Sequence, residues 1–203
     1  SEMGYDAATI GNHEFDSGLE QLAAQMVNAK FPFICSNYNF KNTPLEGKTI
    51  TNKVFEKGCI KVGVFGLGIE LDGLVNEKMY GNTVYSDPEQ AAASMSHYLK
   101  HEKKCDLVVC LSHLGYRYDS LKISDHILAK KSKNIDLVIG GHTHTFLDEP
   151  TRYKNSDGKE VLVCQAGCYG VRIGRVDYLF EKRIGQNLVN ACTIKNMNYA
   201  SGK

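Results

Sequence analysis

The spacing of its apolar runs constrains this chain most. Residues 60–65, 107–111 and 137–139 are short and almost wholly apolar, and stretches of helical pattern separate them. A run that is apolar at successive positions reads as a strand buried on both faces. When two such strands are joined by a helix-length connection they lie parallel, because the crossover returns the chain to the same end of the sheet. One of these helices is well signalled, with Ser86 or Asp87 as cap, Pro88 at its first position and acids in its first turn, and is expected to run to about Lys103. Another is expected over residues 121–131. Upstream, the pattern predicts a strand at 6–10, a helix over 19–29 capped by Ser17, a strand at 33–36, a surface loop at 37–51 and a hairpin of 54–56 with 60–65. Downstream, 152–153, 161–165, 172–180 and 191–195 read as antiparallel strands, with Asn155 to Gly158 as a turn. The whole has the rhythm of a layered α/β fold.

Polar residues gather where these runs end. Gly11-Asn12-His13-Glu14, Ser112-His113 and Gly140-Gly141-His142-Thr143-His144 each follow an apolar strand pattern. A strand end holds a ligand well, since the sheet fixes the backbone while the following loop turns the side chain into a shared crevice. His142 and His144 are two apart, so in extended backbone both imidazoles project to one side. Alone they could be surface loop histidines; with His113 and Asn12 at other strand ends they point to a metal. Imidazole and amide ligands suit zinc, manganese or iron.

The blocks GNHEFD at 11–16, SH at 112–113 and GGHTH at 140–144 resemble those of the calcineurin-like metallophosphoesterases, closest to the bacterial 5'-nucleotidase and UDP-sugar hydrolase branch. The resemblance runs from Gly4 to about Phe180, including Gln165-Ala166-Gly167 and Gly174-Arg175. It implies an α/β sandwich of two mixed sheets flanked by helices, incomplete at its N-terminus. It also implies that residues 1–203 are a single, partial catalytic domain, without the Asp-x-His and Gly-Asp blocks and without a C-terminal nucleotide-specificity domain. Two divalent ions are implied for the complete enzyme. Asn12, His113 and His142 match ligands of one ion and His144 a ligand of the other. His13 would face the substrate phosphoryl group, oriented by Asp16, and Glu14 would have a structural role. The implied reaction is in-line attack of a metal-bound hydroxide on a phosphate ester, with a nucleoside 5'-monophosphate as the implied example. Tyr116 and Arg117, just after His113, border the substrate or form a plain solvated loop.

A metal-bridging carboxylate is not evident, because Asp106 and Asp136 begin their strands, at the opposite end from His113 and His142. This chain alone is therefore expected to hold at most one ion, weakly. The rival reading is a non-catalytic fragment or binding module that needs an N-terminal segment, a partner chain or a second copy to complete its sheet. A net charge of +1 gives no electrostatic argument for nucleic acid, and no apolar run approaches the ~20 residues of a membrane span. His97, His101 and His126 read as ordinary helical residues. Seven cysteines cannot all pair within one chain and read as thiols, with no zinc-knuckle spacing among them. Thiols favour a reducing setting, whereas the resemblance implies a periplasmic or surface location, and no signal peptide is present in this sequence.

Overall fold

The computed structural model describes residues 1–183, 186–194 and 197–198, and from residue 181 onward by backbone only. Its centre is a six-stranded mixed sheet of β1 (Asn52–Lys57), β2 (Ile60–Leu67), β3 (Leu107–Ser112), β4 (Leu137–Gly140), β5 (Thr151–Lys154) and β6 (Glu160–Cys164). The strand order is β1-β2-β3-β4-β6-β5. Strands β2, β3, β4 and β6 are parallel neighbours, and β1 and β5 close the edges antiparallel. Among the helices, α1 (Gly18–Met26) follows the first motif, α2 (Pro88–His97) crosses from β2 to β3, and α3 (Asp125–Lys131) crosses from β3 to β4.

Alternation along the strands builds two apolar layers. On the helical side, Val108, Cys110, Val138, Val161 and Val163 pack with Phe65, Leu99 and Leu128. On the other side, Leu107, Val109, Leu137 and Leu162 meet Ile34 and Val64, with Val176, Tyr178 and Phe180 of the Val176–Arg183 strand laid against them. Burying each such Val or Leu contributes about 1.5–3 kcal/mol, so the central strands are the firmest part of the molecule. Register is what matters for function: Leu67 stands beside Ser112, and Ser112 beside Gly140. The chain therefore leaves β3 and β4 at one level, and the His113 and His142 loops start side by side.

Several expectations need correction. Residues 6–10 form only an isolated bridge between Ala8 and Phe33, because the segment they meet, Phe33–Ile34, is two residues long and is paired to Thr49–Ile50 as well. Residues 37–51 are not a surface loop. Tyr38, Phe40 and Leu45 are buried with Phe15, Leu19, Leu22 and Met26, and Thr43 turns the chain between them by donating to the Phe40 carbonyl and accepting from Leu45 N–H. The third helix starts at Asp125 rather than 121, because Leu121, 97% exposed, has no apolar surface to cover. The second stops as an α-helix at His97 and continues to Glu102 as a π-turn. Gly63 and Gly66 lie within β2. They are small because the sheet is crowded there: a Cβ at Gly63 would lie 2.8 Å from Cys105 Sγ, and one at Gly66 would strike the Ile34 carbonyl. Of the expected strand at 191–195, residues 191–194 belong to the Gln186–Ile194 strand, and Lys195 lies outside the described residues.

Candidate metal centre

The first motif uses each of its residues differently. Gly11 has no room for a side chain, since a Cβ there would collide with the His113 ring. Asn12 occupies the N-cap position of a one-turn 3-10 helix, His13–Phe15, yet its side chain makes no capping bond. Asparagine at that position ordinarily caps the helix. Here its amide is turned inward: Oδ1 lies 3.1 Å from His113 Nε2 and 3.0 Å from His142 Nδ1. Glu14 accepts the Gly11 N–H at 2.7 Å, which is the structural role expected of it. Phe15 is fully buried and anchors the turn in the α1 layer. His13 faces solvent, its ring Nδ1 held 2.9 Å from Asp16 Oδ2, with side chains 72% and 65% exposed.

His113 and His142 arrive from adjacent strand ends. The His113 N–H donates to the Leu67 carbonyl, which pins this loop to the end of β2. The two rings sit edge to face, 5.2 Å between centres. His142 and His144 are not in extended backbone, as their spacing suggests. Both adopt left-handed φ, +69° and +53°, a conformation that non-glycine residues rarely take and that costs about 1–3 kcal/mol. The loop therefore coils, and it brings His142 to Asn12 while His144 stays exposed beside Tyr169, 6.3 Å between ring centres.

Burial sets the charge state of the inner pair. It lowers the His113 pKa to about 4, with His13 and His144 adding positive charge nearby. It lowers His142 to about 4 in the same way, helped by His113, Lys122, His144 and His13. Both imidazoles are thus neutral near pH 7, with lone pairs available to a cation. The donor set fits one: Asn12 Oδ1 is 3.0 and 3.1 Å from the two ring nitrogens, close to the ~3.3 Å edge of a tetrahedron with ligand bonds near 2.0–2.1 Å. Among the described residues, no three His, Cys, Asp or Glu side chains gather closely enough to hold an ion by themselves, so the amide is essential to the set and His144 stands apart from it.

The other candidates take no part in the inner donor set. Tyr116 packs against the helical layer, and its hydroxyl bonds Thr151 at 2.8 Å and Tyr153 at 3.1 Å. Arg117 is exposed, and its charge acts on His126 and Tyr153. His97 and His101 stack 4.6 Å apart. Asp106 and Asp136 bond the backbone N–H groups of Lys61 and Val108. Two polar residues behind the histidine loops were given no role from the sequence: Asp125, fully buried, and Gln165, 4% exposed. Each sits in an apolar context that signals core, and only the third dimension shows what it touches.

The calcineurin-like phosphoesterase family profile matches residues 3–146. The chain is 31% identical to the trifunctional nucleotide phosphoesterase protein YfkN of Bacillus subtilis over 89% of its own length and 14% of that protein's. It is 31% identical to a 5'-nucleotidase of Vibrio vulnificus, over 89% of this chain and 36% of the relative. Among solved structures, the 5'-nucleotidase precursor from Thermus thermophilus superposes with a TM-score of 0.83 at 29% identity, covering 96% of this chain and 39% of that one. The chain thus spans well under half the length of these relatives.

Proposed function

The chain belongs to the calcineurin-like phosphoesterase family, and from that premise we propose that it hydrolyses phosphate monoesters of the 5'-nucleotidase kind with a divalent ion held by Asn12, His113 and His142. The observation that carries this reading is the convergence of those side chains, 101 and 130 positions apart in sequence, on one amide oxygen. A zinc, manganese or iron ion there would polarise the phosphoryl oxygens and make water acidic enough to act as nucleophile near neutral pH. His144, exposed at the rim, is proposed as a ligand to a second ion.

The remaining work falls to this chain's own residues. His13, exposed beside the inner pair, can reach a phosphoryl group that the buried imidazoles cannot, and Asp16 holds its ring through Nδ1. As an imidazolium it would neutralise charge on the phosphoryl oxygens and give its Nε2 proton to the leaving oxygen. Neutral His113 and His142 bind a cation without a competing proton. With no carboxylate in the inner set among the described residues, the ion is held by neutral donors alone. Tight pairing of two ions is then opposed by their repulsion. We therefore propose modest activity for the chain by itself.

Hydrolysis of 5'-AMP and of p-nitrophenyl phosphate, with added Mn2+ or Zn2+, tests this. Metal-dependent turnover that His142→Ala abolishes is the expected result. Turnover that survives both chelation and His142→Ala would contradict it.

A further inference from the structure

Gln165 lies at the end of β6 and takes no part in the inner donor set, yet every polar atom of its side chain is committed to the loop that carries His142 and His144. Its Nε2 donates to the Gly141 carbonyl at 2.7 Å. Its Oε1 accepts from the Thr143 hydroxyl at 3.1 Å and from the Thr145 N–H. Those are the backbone and side-chain neighbours of the two histidines on either side. Thr143 passes the connection on, because its Oγ1 accepts the Tyr116 N–H at 2.9 Å and so ties the His142 loop to the loop that follows His113. Backbone bonds extend the grip: Leu147 N–H donates to the Gln165 carbonyl, and Gly167 N–H to the Thr145 carbonyl.

Opposite Gln165, Asp125 closes the other side. Its Oδ1 accepts from Ser112 Oγ, whose oxygen in turn accepts the Leu114 N–H at 3.2 Å, so the turn containing His113 is held from below. Its Oδ2 sits against Gly140. A Cβ built on Gly140 would meet that carboxyl oxygen on one side and Gln165 Nε2, 3.1 Å away, on the other. Strained left-handed backbone persists only where its surroundings over-determine it, and His142 and His144 both need such support. The buried amide of Gln165 meets that need at residues 141, 143 and 145.

We infer that Gln165 is a positioning residue for the metal centre: it fixes the coiled backbone that aims His142 at Asn12 and sets its distance from His113. The inference rests on the metal reading above, and its test separates the two. Outer partners of metal ligands are commonly worth about 10–100-fold in affinity. Gln165→Met keeps the length and shape of the side chain and removes all three bonds. By calorimetric titration of the chain with Mn2+, this variant is expected to bind about 10–100-fold more weakly than the wild type, while the metal-free protein still unfolds in one cooperative transition, at a lower temperature because the Gly141, Thr143 and Thr145 groups lose their partner. Gln165→Glu, which keeps an oxygen for Thr143 and Thr145, should recover part of that loss.

A second readout needs no metal. The side-chain 15N resonances of His142 and His144 in the metal-free chain should each be a single sharp set in the wild type and broadened or doubled in Gln165→Met. If Gln165→Met does not fold, Thr143→Val, which removes the hydroxyl at the centre of the connection, is read in the same two ways. Should the wild type bind no Mn2+, the metal reading fails while the imidazole spectra still decide the role of Gln165. Wild-type affinity together with unchanged imidazole spectra in the variant would overturn the inference.

Discussion

His13 and His142 are near enough for the charge of one to act on the other, and they have been given opposite environments. His142 comes from the end of a central parallel strand, is desolvated to a pKa of about 4 and is tied to Asn12. His13 comes from a single 3-10 turn, is largely exposed and is tied only to the equally exposed Asp16. An imidazole that must give its lone pair to a cation is best kept dry and neutral. One that must meet a soluble phosphoryl group is best kept wet and near a carboxylate. The difference supports the different roles proposed for the two histidines, and the sheet accounts for it: of the two, only His142 has a strand end beneath it.

The largest expected effect breaks the buried side. His142→Ala or His113→Ala should reduce Mn2+ affinity by more than about a hundredfold, beyond what loss of an outer partner does, and turnover should fall with it; calorimetry and a phosphate-release assay measure both. The exposed side should respond otherwise. For His13→Asn, turnover should drop about 10²–10⁴-fold, the usual worth of a proton-transferring group, while Mn2+ affinity stays at the wild-type value. Equal loss of affinity in His13→Asn would erase the distinction between the two histidines.

Packing behind the buried side gives a smaller effect. Gly140→Ala drives a methyl group between Asp125 and Gln165, and overpacking of this kind costs about 1–3 kcal/mol, measurable by urea unfolding. On the exposed side, Asp16→Asn should leave the unfolding curve where it is.

Beneath the buried side there is also a pH dependence. Burial pushes the Asp125 carboxyl up to about 8 from an ordinary 3.8, opposed by its bond from Ser112. A raised folded-state pKa means the native protein keeps a proton that the unfolded chain releases. Its stabilising contribution is complete below pH 3.8 and is lost as pH rises toward and through 8. Unfolding free energies at pH 5 and pH 8.5 should therefore fall further for the wild type than for Asp125→Asn, whose amide does not titrate.

Much of this was legible in the sequence because the parallel core is built from unbroken apolar runs, and because strand ends are where such folds place their ligands. The placement of His113 and His142 follows from that rule; Asn12 was expected from it too, but the segment before it makes only the isolated Ala8–Phe33 bridge, and the His13–Phe15 turn is what brings it to them. The two-residue spacing of His142 and His144 misled, since it presumes extended backbone and cannot reveal a left-handed φ held by a distant amide. Gln165 and Asp125 were illegible for the same reason: their partners lie 20 or more and 13 positions away across strand ends. Residues 37–51 hid a piece of core because Asn39 and Thr43, between Tyr38, Phe40 and Leu45, serve the turns, while the apolar residues pack with Phe15. Sequence proximity to His113 left Tyr116 either bordering the substrate or in a plain solvated loop; it could not show the turn at Gly115, φ +92°, or the bond of the Tyr116 hydroxyl to Thr151 of β5.

The central claim, that the buried imidazole–amide group is a metal centre, is tested most directly by anomalous diffraction from crystals of the chain grown with Mn2+ or Zn2+. The account predicts a peak within bonding distance of Asn12 Oδ1, His113 Nε2 and His142 Nδ1 together. A peak bound elsewhere, with those three atoms still bonded only to one another, would contradict it.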